Sequence, residues 1–196
     1  LASKFVKVCL QGTGGDELYG GYPWRYYRIF KSLNQQEFFD NYYGFWQRLV
    51  SDEDKTELFQ QNIYKQIDIS EPRKVFERVF TFNKKLKYDT PEQHIKNSLY
   101  FEIKTFLPGL LLVGDKLSMA SGLEERFPFL DNDLVDFAQK IPIRHKLGNF
   151  EKMKKLDENL FGGKEKKYHE FDDGKSVLRK AMADFLPEKI LNRKKQ

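Results

Sequence analysis

A single cysteine, Cys9, is all the sequence carries. This excludes an intrachain disulfide and points to a reducing compartment, the cytoplasm. The three histidines, His94, His145 and His169, fall at no ligand spacing, so a zinc centre is not expected. Long apolar runs are also missing. The longest mostly apolar stretch, Phe106 to Val113, is eight residues and is broken by Pro108 and Gly109, whereas a membrane-spanning helix needs about 20. A charged-then-apolar leader cannot be read, and neither can an internal repeat or a collagen-like, mucin-like or low-complexity tract. Charge of one sign is scarce as well. Thirty-four Lys and Arg stand against 29 Asp and Glu, a net +5, with both signs mixed along most of the chain. The dense runs, Lys152 to Lys155, Lys164 to Lys167 and Arg193 to Lys195, read as solvated surface, so neither nucleic acid nor membrane is an expected partner.

What the 196 residues do contain is aromatic mass: eighteen Phe and ten Tyr, enough for a substantial core. Phe5 to Leu10 is a short β-favouring apolar run that reads as a strand buried on both faces. Its sheet partners are expected outside this stretch or on another chain, because everything after it reads as helical. Phe38, Tyr42, Phe45, Trp46 and Leu49 recur at helical spacing. Val75, Phe76, Val79 and Phe80 mark a helix opened by Ser70 and Pro72. Thr90-Pro91-Glu92-Gln93 has the form of a capping box, followed by the stripe Ile95, Leu99, Ile103 and Phe106. Further helices are expected over Leu110 to Ala120, Leu134 to Lys140 and Lys175 to Phe185, with Asp131 as an N-cap. The stretch from Gly148 to Gly174 reads as a mobile, lid-like surface segment. The fold class expected is mainly α with one N-terminal strand, a portion of a larger protein.

Two segments can carry chemistry. Gln11-Gly12-Thr13-Gly14-Gly15-Asp16-Glu17-Leu18-Tyr19-Gly20-Gly21-Tyr22 follows the strand directly. Its glycines let backbone N–H groups approach a phosphate closely, and the acidic pair can hold Mg²⁺ beside it. Ligands of open α/β sheets bind at this end of a strand. The competing reading is a plain strand-to-helix turn. Gly14 to Leu18 is also similar to the Gly-Gly-Asp-Glu-Phe signature of diguanylate cyclases, but that motif lies on a β-hairpin and this one runs into helices, so the similarity is set aside. The second segment is Asp115-Lys116-Leu117-Ser118-Met119-Ala120-Ser121-Gly122-Leu123-Glu124-Glu125-Arg126-Phe127-Pro128-Phe129-Leu130-Asp131. Taken alone, Glu124 and Arg126 in it form an ordinary ion pair.

Together the two segments resemble the C-terminal synthetase domain of glutamine-dependent asparagine synthetases. In that family a strand ends in Ser-Gly-(Asp/Glu)-Gly-(Gly/Ser/Ala)-Asp-Glu-x-Phe-Gly-Gly-Tyr. Much later comes Asp-(Lys/Arg)-x-Ser-Met-Ala-x-x-Leu-Glu-x-Arg-x-Pro-Phe-Leu-Asp. A Lys-x-x-Leu-Arg helix completes the set, matched by Lys175-Ser176-Val177-Leu178-Arg179. The resemblance covers residues 1–196 and implies the C-terminal part of an α/β ATP-pyrophosphatase domain. It also implies ATP and Mg²⁺, a small carboxylate substrate adenylated on its side chain, and ammonia from a separate N-terminal glutaminase domain. By the same resemblance, Gln11, Gly12, Gly14 and Gly15 meet ATP and pyrophosphate, and Asp16 also holds Mg²⁺. Thr13 stands where an acid supports acyl-adenylate formation, Glu124 faces the second half-reaction, and Lys175 stabilises charge on the activated intermediate.

The sequence departs from the pattern at Gln11, usually Ser, and at Thr13, usually acidic. A hydroxyl cannot carry a carboxylate's charge, so two readings stay open: an acceptor other than aspartate, such as a saccharide precursor, or diminished activity. The family's Ser-Gly-Gly-x-Asp-Ser loop and glutaminase are not in this sequence, so the stretch alone is expected to be inactive. The alternative function is a helical interaction domain that keeps the fold without catalysis. Two structural expectations follow. Asp16, Glu124 and Lys175 should share one cleft, and the apolar strand should lead either to self-association, for which a homodimer is one form, or to poor order at the N-terminal end.

Overall fold

The computed structural model describes residues 1–26, 28–47, 50–68, 70–148 and 174–193. Most of the segment expected to be mobile, 148–174, lies outside them, as does Leu49.

The N-terminal strand is shorter than its apolar run. Ala2–Lys4 form a 3₁₀ turn and only Val8–Leu10 (β1) are strand. The chain also supplies β1 with a partner, which corrects the expectation that everything after it is helical. Glu124–Arg126 (β2) pairs with it in parallel, Val8 opposite Glu124 and Leu10 opposite Arg126. The two strands are joined by a long helical crossover, as parallel pairing requires. The partner sets the ladder's length. Gly122, at φ +66°, closes the helix before β2 with the bonds Leu123 N–H to Ser118 O (3.0 Å) and Gly122 N–H to Met119 O (2.9 Å). This is the Schellman pattern. Pro128 then opens a 3₁₀ turn, Pro128–Leu130, so only three residues of β2 remain for pairing.

Between the strands come α1 (Gly15–Tyr19), α2 (Gln35–Trp46), α3 (Lys55–Leu58), α4 (Gln61–Tyr64), α5 (Glu71–Thr81), α6 (Pro91–Lys104) and α7 (Phe106–Ala120). After β2 come α8 (Asn132–Lys140), α9 (Ile143–Lys146), and the short helices Ser176–Ala181 and Glu188–Leu191. The capping box of α6 is present in full: Thr90 Oγ1 accepts from Gln93 N–H at 3.3 Å, and Gln93 Oε1 accepts from Thr90 N–H at 3.2 Å. Asp131 caps α8 by accepting from the amides of Asp133 and Leu134. Helix α7 starts four residues earlier than its apolar run suggested. Pro108 falls in the first turn, where its missing N–H has no intrahelical partner to lose.

An aromatic core joins α2, α5 and α6. Phe38, Tyr42, Phe76, Phe80 and Phe101 are buried and meet mostly edge-on or tilted, with Phe76 and Phe101 centroids 5.0 Å apart and Phe80 stacked on Phe101. Such pairs add about 0.5–1.5 kcal/mol each beyond their area. One charged pair is sunk into this mass: Arg25 Nη1 lies 3.4 Å from Glu102 Oε1, both nearly inaccessible. The Arg25 guanidinium also sits 3.8 Å from the centre of the Tyr22 ring and 4.7 Å from that of Phe106. Burial pushes the Glu102 carboxyl up to about 7, against the opposing pull of Arg25. Arg25 and Glu102 thus tie the segment after the glycine-rich loop to α6. A second, smaller cluster seats α1 against α8, with Leu18, Tyr19 and Ala138 at its centre.

Candidate functional site

The glycine-rich loop leaves the carboxyl end of β1 and turns directly into α1. Gln11 extends the pairing by one bond, its N–H to Arg126 O at 2.8 Å, and its side-chain amide donates to Glu125 Oε1. Gly14, at φ +94°, adopts a conformation that disfavours any side chain, and a Cβ there would lie 2.4 Å from Leu130 Cδ2. Within the loop, Gly15 N–H bonds Gly12 O at 3.3 Å. The N–H groups of Gly12, Thr13 and Gly14 have no acceptor among the described residues. Gly12 is exposed, Thr13 half-buried, and a Cβ at Gly12 would meet nothing within 4 Å. The loop therefore offers open backbone at the strand end, the place where α/β sheets take ligands.

Asp16, in the first turn of α1, meets Lys175 from the far end of the chain: Nζ to Oδ1 is 3.0 Å, and both side chains are partly accessible. Close backbone approach makes this pair. Lys175 N–H bonds Tyr19 O at 3.1 Å, and a Cβ on Gly174 would lie 2.7 Å from Gly20 O. A Cβ on Gly21 would fall 1.7 Å from Asp16 Oδ1 and 2.7 Å from Lys175 Cε, so the pair occupies the space where Gly21 lacks a side chain. Lys175 itself has φ +59°, the one non-glycine residue in left-handed backbone among those described. Such a conformation costs of order 1–3 kcal/mol and persists where its surroundings enforce it. The Tyr22 phenol donates to Glu17 Oε1 at 3.0 Å. Burial, helped by Asp16 and then Glu17, pushes its pKa far above the usual range, so it stays a proton donor.

Glu124 is placed differently. It lies on β2 opposite Val8, and its exposed carboxylate pairs with Arg126 Nε at 2.8 Å rather than with Lys175. Asp16 and Lys175 thus meet directly, and Glu124 does not join them. The pair lines a cavity of about 810 Å³, otherwise largely apolar, with Phe129, Phe137, Leu178 and Met182 in its walls. Gln11, Gly12, Thr13 and Glu124 lie outside that lining. The sequence reading missed Arg25 and Glu102. The signal was present for Glu102, an acid at the third position after Leu99 on the apolar stripe of α6.

A glycine loop at the end of a parallel strand, with an acid and an ammonium held beside it, stands where open α/β sheets take their ligands. The chain matches the asparagine synthase family over residues 1–196 and belongs to it. It is 29% identical to the glutamine-hydrolysing asparagine synthetase 3 of Bacillus subtilis strain 168, over 98% of this chain and 26% of that protein. It is also 29% identical to synthetase 1 of the same organism, over 99% of this chain and 30% of that protein. The amidase chry2 of Gibberella zeae is 27% identical over 52% of this chain and 13% of its own length. The chain thus spans less than a third of the curated synthetases it matches. No solved structure matches it. Among the described residues no helix is long and apolar enough to cross a membrane.

Proposed function

We propose that the protein to which this chain belongs amidates a carboxylate at the expense of ATP, through an acyl-adenylate, with ammonia supplied by a glutaminase domain. The observation that carries this reading is the Asp16–Lys175 pair beside the open loop backbone, in a chain of the asparagine synthase family. Attack of a carboxylate oxygen on the α-phosphorus releases pyrophosphate and spreads negative charge over the transferring group. Fixed positive charge and N–H donors there stabilise the transition state. The amides of Gly12 to Gly14 supply donors and Lys175 supplies the charge. The backbone contacts at Gly20 and Gly174 hold that ammonium in position before substrate arrives.

Mg²⁺ fits the donor set. Asp16 is an accessible carboxylate at the loop, and Mg²⁺ is commonly held by one or two carboxylates together with phosphate oxygens. When bound it would neutralise the pyrophosphate leaving group. Among the described residues no group of three or more acidic, His or Cys side chains is gathered to hold a metal alone. Glu124, implied by the resemblance for the ammonia half-reaction, stands opposite Val8 at the far end of the ladder from the loop and pairs with Arg126, so this arrangement gives it no part in the adenylation site.

Thr13 bears on the choice of acceptor. It places a hydroxyl where related synthetases carry an acid, and losing one charge-assisted contact costs about 1.5–3 kcal/mol, roughly a tenfold to hundredfold change in rate. We infer that a carboxylate other than aspartate is preferred. The test is pyrophosphate release by the whole protein with ATP and Mg²⁺, aspartate being compared with a panel of other carboxylates. Thr13→Asp should move the preference toward aspartate. Efficient aspartate-dependent release that Thr13→Asp leaves unchanged would show Thr13 to be neutral. No release with any acceptor would favour the interaction-domain reading.

A further inference from the structure

A second cavity, of about 840 Å³, opens between α1, α6, α8 and the segment before α6, and shares no lining residue with the one beside Asp16 and Lys175. Its walls are strongly basic. Lys85, Lys87, Lys96, Lys104, Lys140 and Lys146 line it, against two acids, Glu17 and Asp136. Glu17 is buried and already accepts the Tyr22 hydroxyl. Five of the lysines are exposed, but Lys146, at the end of α9, is only 4% accessible. It has no ion-pair or hydrogen-bond partner for its ammonium among the described residues. Its stem is buried while the ammonium keeps a little open surface toward the cavity, and a charge so poorly hydrated is costly. The charge acting most directly on it has the same sign, on Lys96 of the neighbouring helix.

We propose that this cavity binds a small, multiply charged phosphate-bearing molecule, with Lys146 at its floor and Lys96 beside it as the principal contacts. An incoming anion would supply the missing counter-charge. No arginine lines the cavity, so the fork geometry that selects planar carboxylates is absent. Ammonium groups act on phosphate as mobile point charges. The size suits a ligand rather than a few waters, since small-molecule sites run to about 300–1,000 Å³. Burial first, then Lys96, lowers the Lys146 pKa to about 8. The group is therefore still mostly charged at neutral pH and able to hold an anion. This proposal is independent of the amidation reading, since it uses none of the same residues.

The test is titration calorimetry of inorganic tripolyphosphate into the whole protein, with citrate as a non-phosphate polyanion and Lys175→Met as a control for binding at the loop. Lys146→Met and the exposed-site variant Lys96→Gln should each weaken tripolyphosphate at least tenfold, whereas Lys175→Met should leave a site of unchanged affinity. As a readout that needs no substitution, the Lys146 side-chain resonance should titrate at higher pH once tripolyphosphate is bound. Affinity unmoved by Lys146→Met and Lys96→Gln, or binding abolished by Lys175→Met, would overturn the assignment. So would citrate binding more tightly than tripolyphosphate.

Discussion

Single residues in this chain carry charge into places that solvent reaches poorly, and their pH behaviour is set by that. Lys146 titrates near 8 when folded, below its ordinary value of 10.5, because burial disfavours its ammonium. The unfolded chain therefore holds the extra proton between those two values, and this group makes stability rise as pH climbs from about 8 toward 10.5. Without a bound anion, Lys146→Met should raise the melting temperature at pH 7 and flatten that alkaline rise, both readable by calorimetry. Arg25 and Glu102 are buried as a pair, and burial still outweighs the partner in holding the Glu102 carboxyl near 7. Truncating Glu102 to Ala strands a buried guanidinium and should cost about 3–5 kcal/mol in denaturant unfolding. A loss below about 1 kcal/mol would mean that water reaches the pair. Glu102 shows how a residue's role hides in sequence. Its position on the apolar face of α6 was readable, but its partner, 77 residues earlier, was not. Asp16 and Lys175 were legible only through motifs. Nothing in the spacing of residues 16 and 175 announces a 3.0 Å contact.

At the scale of elements, local chemistry predicted helices well and the sheet poorly. The Thr90–Gln93 box and the Asp131 cap are side-chain patterns written over four residues, and both are made as read. Thr90→Ala should cost about 1 kcal/mol, measurable as a shift in urea midpoint at unchanged slope. Strand β2 left no such trace. Its three residues are Glu, Glu and Arg, with neither alternation nor apolar content, and only pairing with β1 makes them a strand. The junction of α1 with the Ser176–Ala181 helix was equally hidden. It depends on Gly20, Gly21 and Gly174 letting two backbones meet, and glycines reveal their neighbours only in the folded chain. Gly21→Ala places a methyl group against Asp16 and Lys175 and should separate them. We expect a stability loss of about 1–3 kcal/mol and, in the whole protein, a fall in pyrophosphate release comparable to that of Lys175→Met. Full activity in Gly21→Ala would show that the pair as seen is not needed.

The molecule as a whole carries an apolar surface that its own core does not cover. Phe5 is 80% accessible and Leu10 73%, and Leu112, Val113, Leu117 and Met119 of α7 are exposed as well. Faces of this kind are where another chain or domain packs. The chain by itself should therefore self-associate with rising concentration, visible in sedimentation velocity. A monodisperse monomer across that range would contradict the reading. The amidation proposal concerns the whole protein, and its most direct test follows oxygen. If the carboxylate attacks the α-phosphorus and ammonia then displaces AMP, one carboxylate oxygen leaves with the phosphate. With ¹⁸O-labelled acceptor, ATP, Mg²⁺ and ammonia, the account predicts one ¹⁸O in AMP and none in pyrophosphate, with turnover lowered about a hundredfold or more by Lys175→Met. Label appearing in inorganic phosphate alongside ADP, or AMP formed without label, would contradict it.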